Sequence, residues 1–294
     1  MIYVIYIRTF RSRHIIKIKE KQMTDYTVQK GKTQTGITLT TSGDRLFVSG
    51  TANNVLTSNN TKVYVDGGRI SDLTVRSAGY AQIDSVYGGR IDGLHLSSGG
   101  QVDINGGTLN GGSVSNGGIL NVYSAGKANG ITLTSGAVAA IAYGGSASGF
   151  IVSANAIIAV TSGGYVSGGT IRGSATVGTS GTMSGATISS GGSVNIRSGG
   201  TSIATDITSG ATVQVRSGGS ASNTIIDGGT LVISGGGNVT NTSFTSNGGV
   251  VELGSGYNSS YSWTVSNHVG LAVDSGAVVS GTIVSSGGGL EHVH

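Results

Sequence analysis

Residues 182–219 read TMSGATISSGGSVNIRSGG and then, without a gap, TSIATDITSGATVQVRSGG. The two lines match position by position. Ala186 and Ile188 answer Thr205 and Ile207, Val194 and Ile196 answer Val213 and Val215, and Arg197 answers Arg216. A unit this short cannot bury an apolar face alone; it must stack on a copy of itself, which is the logic of a solenoid.

Outward from this pair the same text recurs. Units begin near Lys32, Thr51, Arg69, Arg90, Thr108, Lys127, Ser146, Tyr165, Thr182, Thr201, Ser220, Gly237 and Tyr257, with a partial unit from Ala277. The second run of each unit alternates at period two, as in Val63/Val65, Val102/Ile104, Leu120/Val122 and Leu231/Ile233, with polar residues such as Tyr64, Asp103 and Asn121 between. Period two marks a half-buried strand, and no 3.6-residue periodicity runs through the array. Glycine pairs such as Gly67-Gly68, Gly163-Gly164 and Gly199-Gly200 follow these runs. They predict tight corners, where glycine accepts a positive φ without a Cβ clash. The fold expected is an all-β parallel β-helix of about thirteen repeats, most often nineteen residues long. The text departs from the rule at residues 173–181 (short), 137–143 (AVAAIAY) and 257–268 (YNSSYSWTVSNH), the last expected to be a repacked piece of core.

Composition narrows the function classes. Glycine makes up 54 of 294 residues, with no proline, so a collagen repeat is excluded, and 37% hydrophobic against 10% charged residues is not a disordered composition. There is no cysteine, hence neither a disulfide nor a thiolate-held metal. The net charge of +4 is misleading. Residues 1–22 hold six bases (Arg8, Arg11, Arg13, Lys17, Lys19, Lys21) and one acid (Glu20), which leaves the array nearly neutral. A nucleic-acid binder carries its basic stripe along the body, so nucleic acid is not an expected partner. The sequence divides into a basic head over 1–31 and a repeat array over 32–294. Residues 1–22 read either as a basic tail or as an extension upstream of Met23, and the rest of the head as an N-terminal cap. The apolar run from Ile2 to Ile7 is too short for a membrane span and lacks a signal-peptide cleavage pattern.

The recurring SGGxVxVxSGG with an interposed A-x-x-T-x-I, seen in residues 190–200 and 209–226, resembles the strand-loop-strand repeat of AIDA-type autotransporter passengers. The resemblance covers residues 32–294. It implies a right-handed parallel β-helix at the surface of a Gram-negative cell, with roles in adhesion, autoaggregation and biofilm formation. It also implies that outward Ser and Thr are acceptors for a glycosyltransferase. An export signal and a translocator barrel, both part of the family pattern, are not found in this sequence.

Parallel β-helices also host polysaccharide-cleaving enzymes, which work with paired carboxylates. Asp84 and Asp103 sit in neighbouring units with Asp66 near the same edge, and Arg69 and Arg90 are placed to neutralise them. Too few acids converge for an acid–base pair, and no catalytic residue is expected. His292 and His294 are too few ligands for zinc, and neither the calcium repeat nor a phosphate loop occurs, so no metal or cofactor is expected. The surface-contact candidates are Asn195, Arg197, Gln214 and Arg216, outward on consecutive rungs. The expectation is an adhesin rod that is not an enzyme. Its partners would be a second rod in trans or host-surface and polysaccharide ligands. A tailspike-like carbohydrate-active β-helix and an inert spacer or gene remnant stand as alternatives.

Overall fold

The computed structural model describes residues 4–6, 15–17, 23–84, 87–259 and 262–293. Most of the basic head and His294 lie outside these residues, and the side chains of Lys17 and His292 are not described. The described residues form strands and no helix. Fifteen parallel strands make one long sheet that runs the length of the solenoid, from Asp25–Val28 to Gly289–Val293. The parallel β-solenoid expected from the repeat is what the chain forms, with about fourteen turns of roughly nineteen residues.

The register follows the repeat. Val194 of the Ser193–Ile196 strand lies between Ala175 and Val213, and Ile196 lies between Val177 and Val215. All six are buried. The flanking Ser193 and Asn195 face outward, so the strand's burial alternates as its text does. Successive rungs therefore stack like on like, and the inward columns merge into one continuous apolar core.

The second wall opens with two short strands, Thr33–Thr35 and Thr38–Leu39, and continues as seven-residue strands, Thr51–Thr57 through Lys127–Leu133. From Ser146–Ser148 onward each turn contributes two shorter strands instead. A single column of left-handed residues marks the bend in both halves: Asn54, Asp72, Gly93, Gly111 and Gly130, then Gly149, Gly168, Gly185, Ala204, Asn223 and Asn241. Asparagine and glycine tolerate this conformation, which is why they dominate the column.

The glycine pairs do two jobs where the sequence suggested one. Gly199 has φ +74°, as a tight corner requires. Gly200 is needed for a different reason: a Cβ there would lie 2.2 Å from the carbonyl oxygen of Val177, one rung below. The core is also less uniform than the period-two text implies. Ser202 and Thr205 are buried and hydrogen-bonded to each other at 2.6 Å. A second polar insertion, Thr57 against Thr61 at 2.6 Å, is closed by a bond from Thr61 Oγ1 to the Leu39 carbonyl at 3.2 Å. Each pair satisfies itself, so burial of the hydroxyls is tolerated. In the irregular stretch near the C-terminal end, Tyr257 and Trp263 are both buried, as a repacked core requires.

Candidate functional site: the outer face of the long sheet

The long sheet turns three outward columns to solvent: the first and third residues of each strand, and the residue just after it. The nature of this face changes along the rod. In the first rungs it is charged and aromatic. Arg45 pairs with Asp25 at 2.7 Å, Phe47 stacks on Tyr64 with ring centroids 5.2 Å apart, and Tyr64 meets Tyr80 edge-on at 6.5 Å.

Asp103 closes this region as the centre of a polar network. It accepts from the Tyr80 hydroxyl at 2.8 Å, from Gln101 Nε2 at 2.9 Å and from Asn121 Nδ2 at 2.8 Å. Burial and the bond to Asp103 push the Tyr80 hydroxyl well above its ordinary range. The register sets Asp103 against Gln82, not against Asp84. Asp84 belongs to the column after the strand, where its amide bonds the Val65 carbonyl at 3.2 Å. The arginines expected to neutralise these acids do not face them either. Arg69 and Arg90 both bond Asp92 on the second wall, at 2.8 and 2.7 Å. Sequence spacing placed all these residues outward but could not say on which wall.

On that second wall the Asp92 carboxylate begins a ladder. Asn110 Nδ2 donates to it at 3.0 Å, Asn129 donates to Asn110 at 3.0 Å, and Ser148 donates to Asn129 at 2.8 Å. The Arg90 guanidinium holds the Asp92 carboxyl below the usual carboxylate range; Asn110 adds to this, while partial burial opposes it. Each member is satisfied by its neighbour, so the ladder reads as cross-strand stabilisation. Three surface depressions hold Asp72, Glu291 or no acid, so none supplies the two carboxylates that glycoside hydrolysis uses. Among the described residues no three His, Asp or Glu side chains converge on a metal-sized site.

Midway along the long sheet the face becomes apolar. Ile119, Val138 and Ile157 stack directly on one another in the first column, exposed by 38, 38 and 46%. Ala140 and Ala159 stack beside them in the third. Tyr143, at the turn after the central strand, is 69% exposed and packs edge-on against Tyr123 with centroids 5.8 Å apart. Residues 137–143 are unusually apolar, and Val138, Ala140 and Tyr143 among them face outward.

Beyond the apolar rungs lie the four residues singled out from sequence. Asn195 and Gln214 are register partners on adjacent rungs. Arg197 and Arg216 follow their strands, one rung apart and exposed, with amides bonding the carbonyls of Val177 and Ile196. Arg216 is steadied by its own rung, donating to Gln214 Oε1 at 2.9 and 3.1 Å. Ser174, Ser193, Thr212 and Thr230 form the first column here. This part of the face is a flat array of hydroxyls and amides with two guanidinium groups at its edge.

No family model and no curated protein matches the chain. Among solved structures it is similar to the TibC-catalysed hyper-glycosylated fragment of TibA, with a TM-score of 0.72 and 28% identity over 92% of this chain and 97% of that one. The chain resembles an AIDA-type autotransporter passenger. The repeat that suggested this resemblance and the solenoid it builds therefore agree. An autotransporter-passenger likeness implies a location at the bacterial surface or outside the cell. The likeness extends over nearly the whole solenoid, so it covers all three regions of the outer face.

Proposed function

We propose that this chain is the rod of a Gram-negative surface adhesin that joins cells by lying side by side with a second rod. The observation that carries the proposal is the outer face itself. Over the rungs from Ser174 to Thr230 it is flat, repeats from rung to rung, and offers rows of Ser, Thr, Asn and Gln with few charges. A face of this kind makes many weak contacts, and their sum grows with the number of rungs engaged.

Exposed serines and threonines of the same face, such as Ser174 and Ser193, are the acceptors a passenger glycosyltransferase would meet. The support is that the TibA fragment is hyper-glycosylated by TibC. Sugars on those columns would change the contacts between rods, which makes modification a natural control on adhesion.

The test is display of the full chain on a non-aggregating bacterial host. Cells carrying the rod should settle faster than bare cells, and mixed labelled and unlabelled populations should co-aggregate. Equal settling rates at equal display levels would rule the reading out.

A further inference from the structure

Among the described residues the second wall of the coil parts near its C-terminal end. We propose that this break is a binding site for a single uncharged sugar residue. The site goes beyond the rod-to-rod reading and stands without it.

Asn238–Thr240 and Ser243–Phe244 pair with the turn below them. Asn258–Ser259 and Thr264–Val265 pair only with the turn above. No strand pairing joins the two sets, although the long sheet continues through the same turns, from Thr230–Ile233 to Gly249–Leu253 to Val269–Asp274. The opening is therefore a wedge in one wall. Trp263 stands at it. The inward column carries Thr205, Thr224 and Thr242 on the three turns below, and its next member is the buried Trp263. An indole in a column built for threonine needs more room than one rung spacing of about 4.8 Å leaves.

The wedge holds a cavity of about 290 Å³. Five of its seven lining residues are serine or threonine, the others are Phe244 and Trp263, and none is charged. Backbone groups add to this lining. Below the break the amides of Ser243 and Thr245 bond the carbonyls of Thr224 and Ile226, at 2.9 and 3.0 Å. Above it the amides of Ile283 and Ser285 bond the carbonyls of Trp263 and Val265, at 2.8 and 2.9 Å. The equivalent groups at the break are the amides of Thr264 and Ser266 on one lip and the carbonyls of Thr242 and Phe244 on the other, and no rung bond joins them. The Thr242 hydroxyl has no hydrogen-bond partner either.

A ligand between these lips must accept from one and donate to the other. A hydroxyl does both. A pyranose ring carries several hydroxyls, and Phe244 supplies apolar surface for its C–H face. A carboxylate or phosphate would meet no counter-charge here. An extended peptide does not fit, because the long sheet holds these turns one rung spacing apart on the opposite wall and leaves no place for a whole strand. The volume lies at the low end for ligand pockets, which suits one ring.

Trp263 is the chain's only tryptophan, so its fluorescence reads this cleft alone. Titrating the full chain with the methyl glycosides of glucose, galactose and mannose should give a saturable change in emission with at least one of them, in the millimolar range. Glucuronate should give none. Ser243 and Thr264 are exposed on opposite lips. Ser243→Tyr and Thr264→Tyr should keep the circular dichroism of wild type and raise the dissociation constant about tenfold or more. Sugar of this kind can belong to a glycan outside the cell or to a glycosylated neighbouring rod. A free glycoside that slows the settling of cells displaying glycosylated rods assigns it to the neighbour; one that instead releases cells from glycan-coated beads assigns it to the outside glycan. No saturable response to any of the three glycosides, a response unchanged in both tyrosine variants, or an equal response to glucuronate would overturn the site and leave rod-to-rod adhesion standing.

Discussion

Among the described residues Phe150 is the largest side chain with no solvent exposure at all, and removing it should open a hole that nothing nearby can fill. Its column reads Ile131, Phe150, Gly169 and Ala186 over four successive rungs. The ring has a bulky neighbour on one side only; on the other are a residue with no side chain and one with a single methyl. Backbone hydrogen bonds fix the rungs, with Thr170 N on the Phe150 carbonyl at 2.8 Å and Thr187 N on the Gly169 carbonyl at 3.0 Å, so the coil cannot collapse inward. Phe→Ala in a core costs about 3–5 kcal/mol, more where the site relaxes least. The expected loss for Phe150→Ala is therefore about 4–5 kcal/mol. In a solenoid that loss is felt by the nearest rungs first. Denaturant melts should show the destabilisation, and hydrogen exchange should accelerate across residues 128–188 while distant rungs keep their protection. Phe150→Leu, which keeps most of the volume, should cost far less. A loss below about 1.5 kcal/mol for the alanine variant, or exchange that accelerates evenly along the rod, would refute the argument that Gly169 and Ala186 leave the ring irreplaceable.

Two further outcomes follow from the corner column and the arginine pair. Ala204 is exposed and holds φ +52° in a column where its neighbours are Gly185 and Asn223, so it carries the left-handed strain of about 1 kcal/mol that they avoid. Ala204→Asn should raise the melting midpoint, with Ala204→Gly giving a smaller gain because glycine loses more entropy on folding; a fall with both would show that the corner is unstrained. Asp92 has its carboxyl lowered by Arg90 first and by Asn110 after it. Its contribution is complete above the ordinary carboxylate value of about 4 and disappears as pH falls through the lower native value. Asp92→Asn should therefore flatten the acid limb of the stability curve below about pH 4, and parallel acid limbs for variant and wild type would contradict the assignment.

Much of this was legible in the chain. Val194, Ile196, Val213 and Val215 define inward columns by alternation alone, and the repeat of Arg-Ser-Gly-Gly fixes the rung length, so architecture and register followed from residues 182–219. The outward placement of Asn195, Arg197, Gln214 and Arg216 followed from the same alternation. Alternation sorts residues into inside and outside, but it does not say which wall of the coil an outward residue occupies. Asp84, Asp103, Arg69 and Arg90 looked like one cluster for that reason. Only the folded coil sent the arginines to Asp92 and left Asp103 with Tyr80, Gln101 and Asn121. The same limit hid the ladder of Ile119, Val138 and Ile157, which in the sequence is three apolar residues nineteen positions apart and in the fold is one continuous stripe. Periodicity along a chain is a local property and fixes what each rung buries. Adjacency between rungs arises when the coil closes, and every candidate surface on this protein is made of such adjacencies.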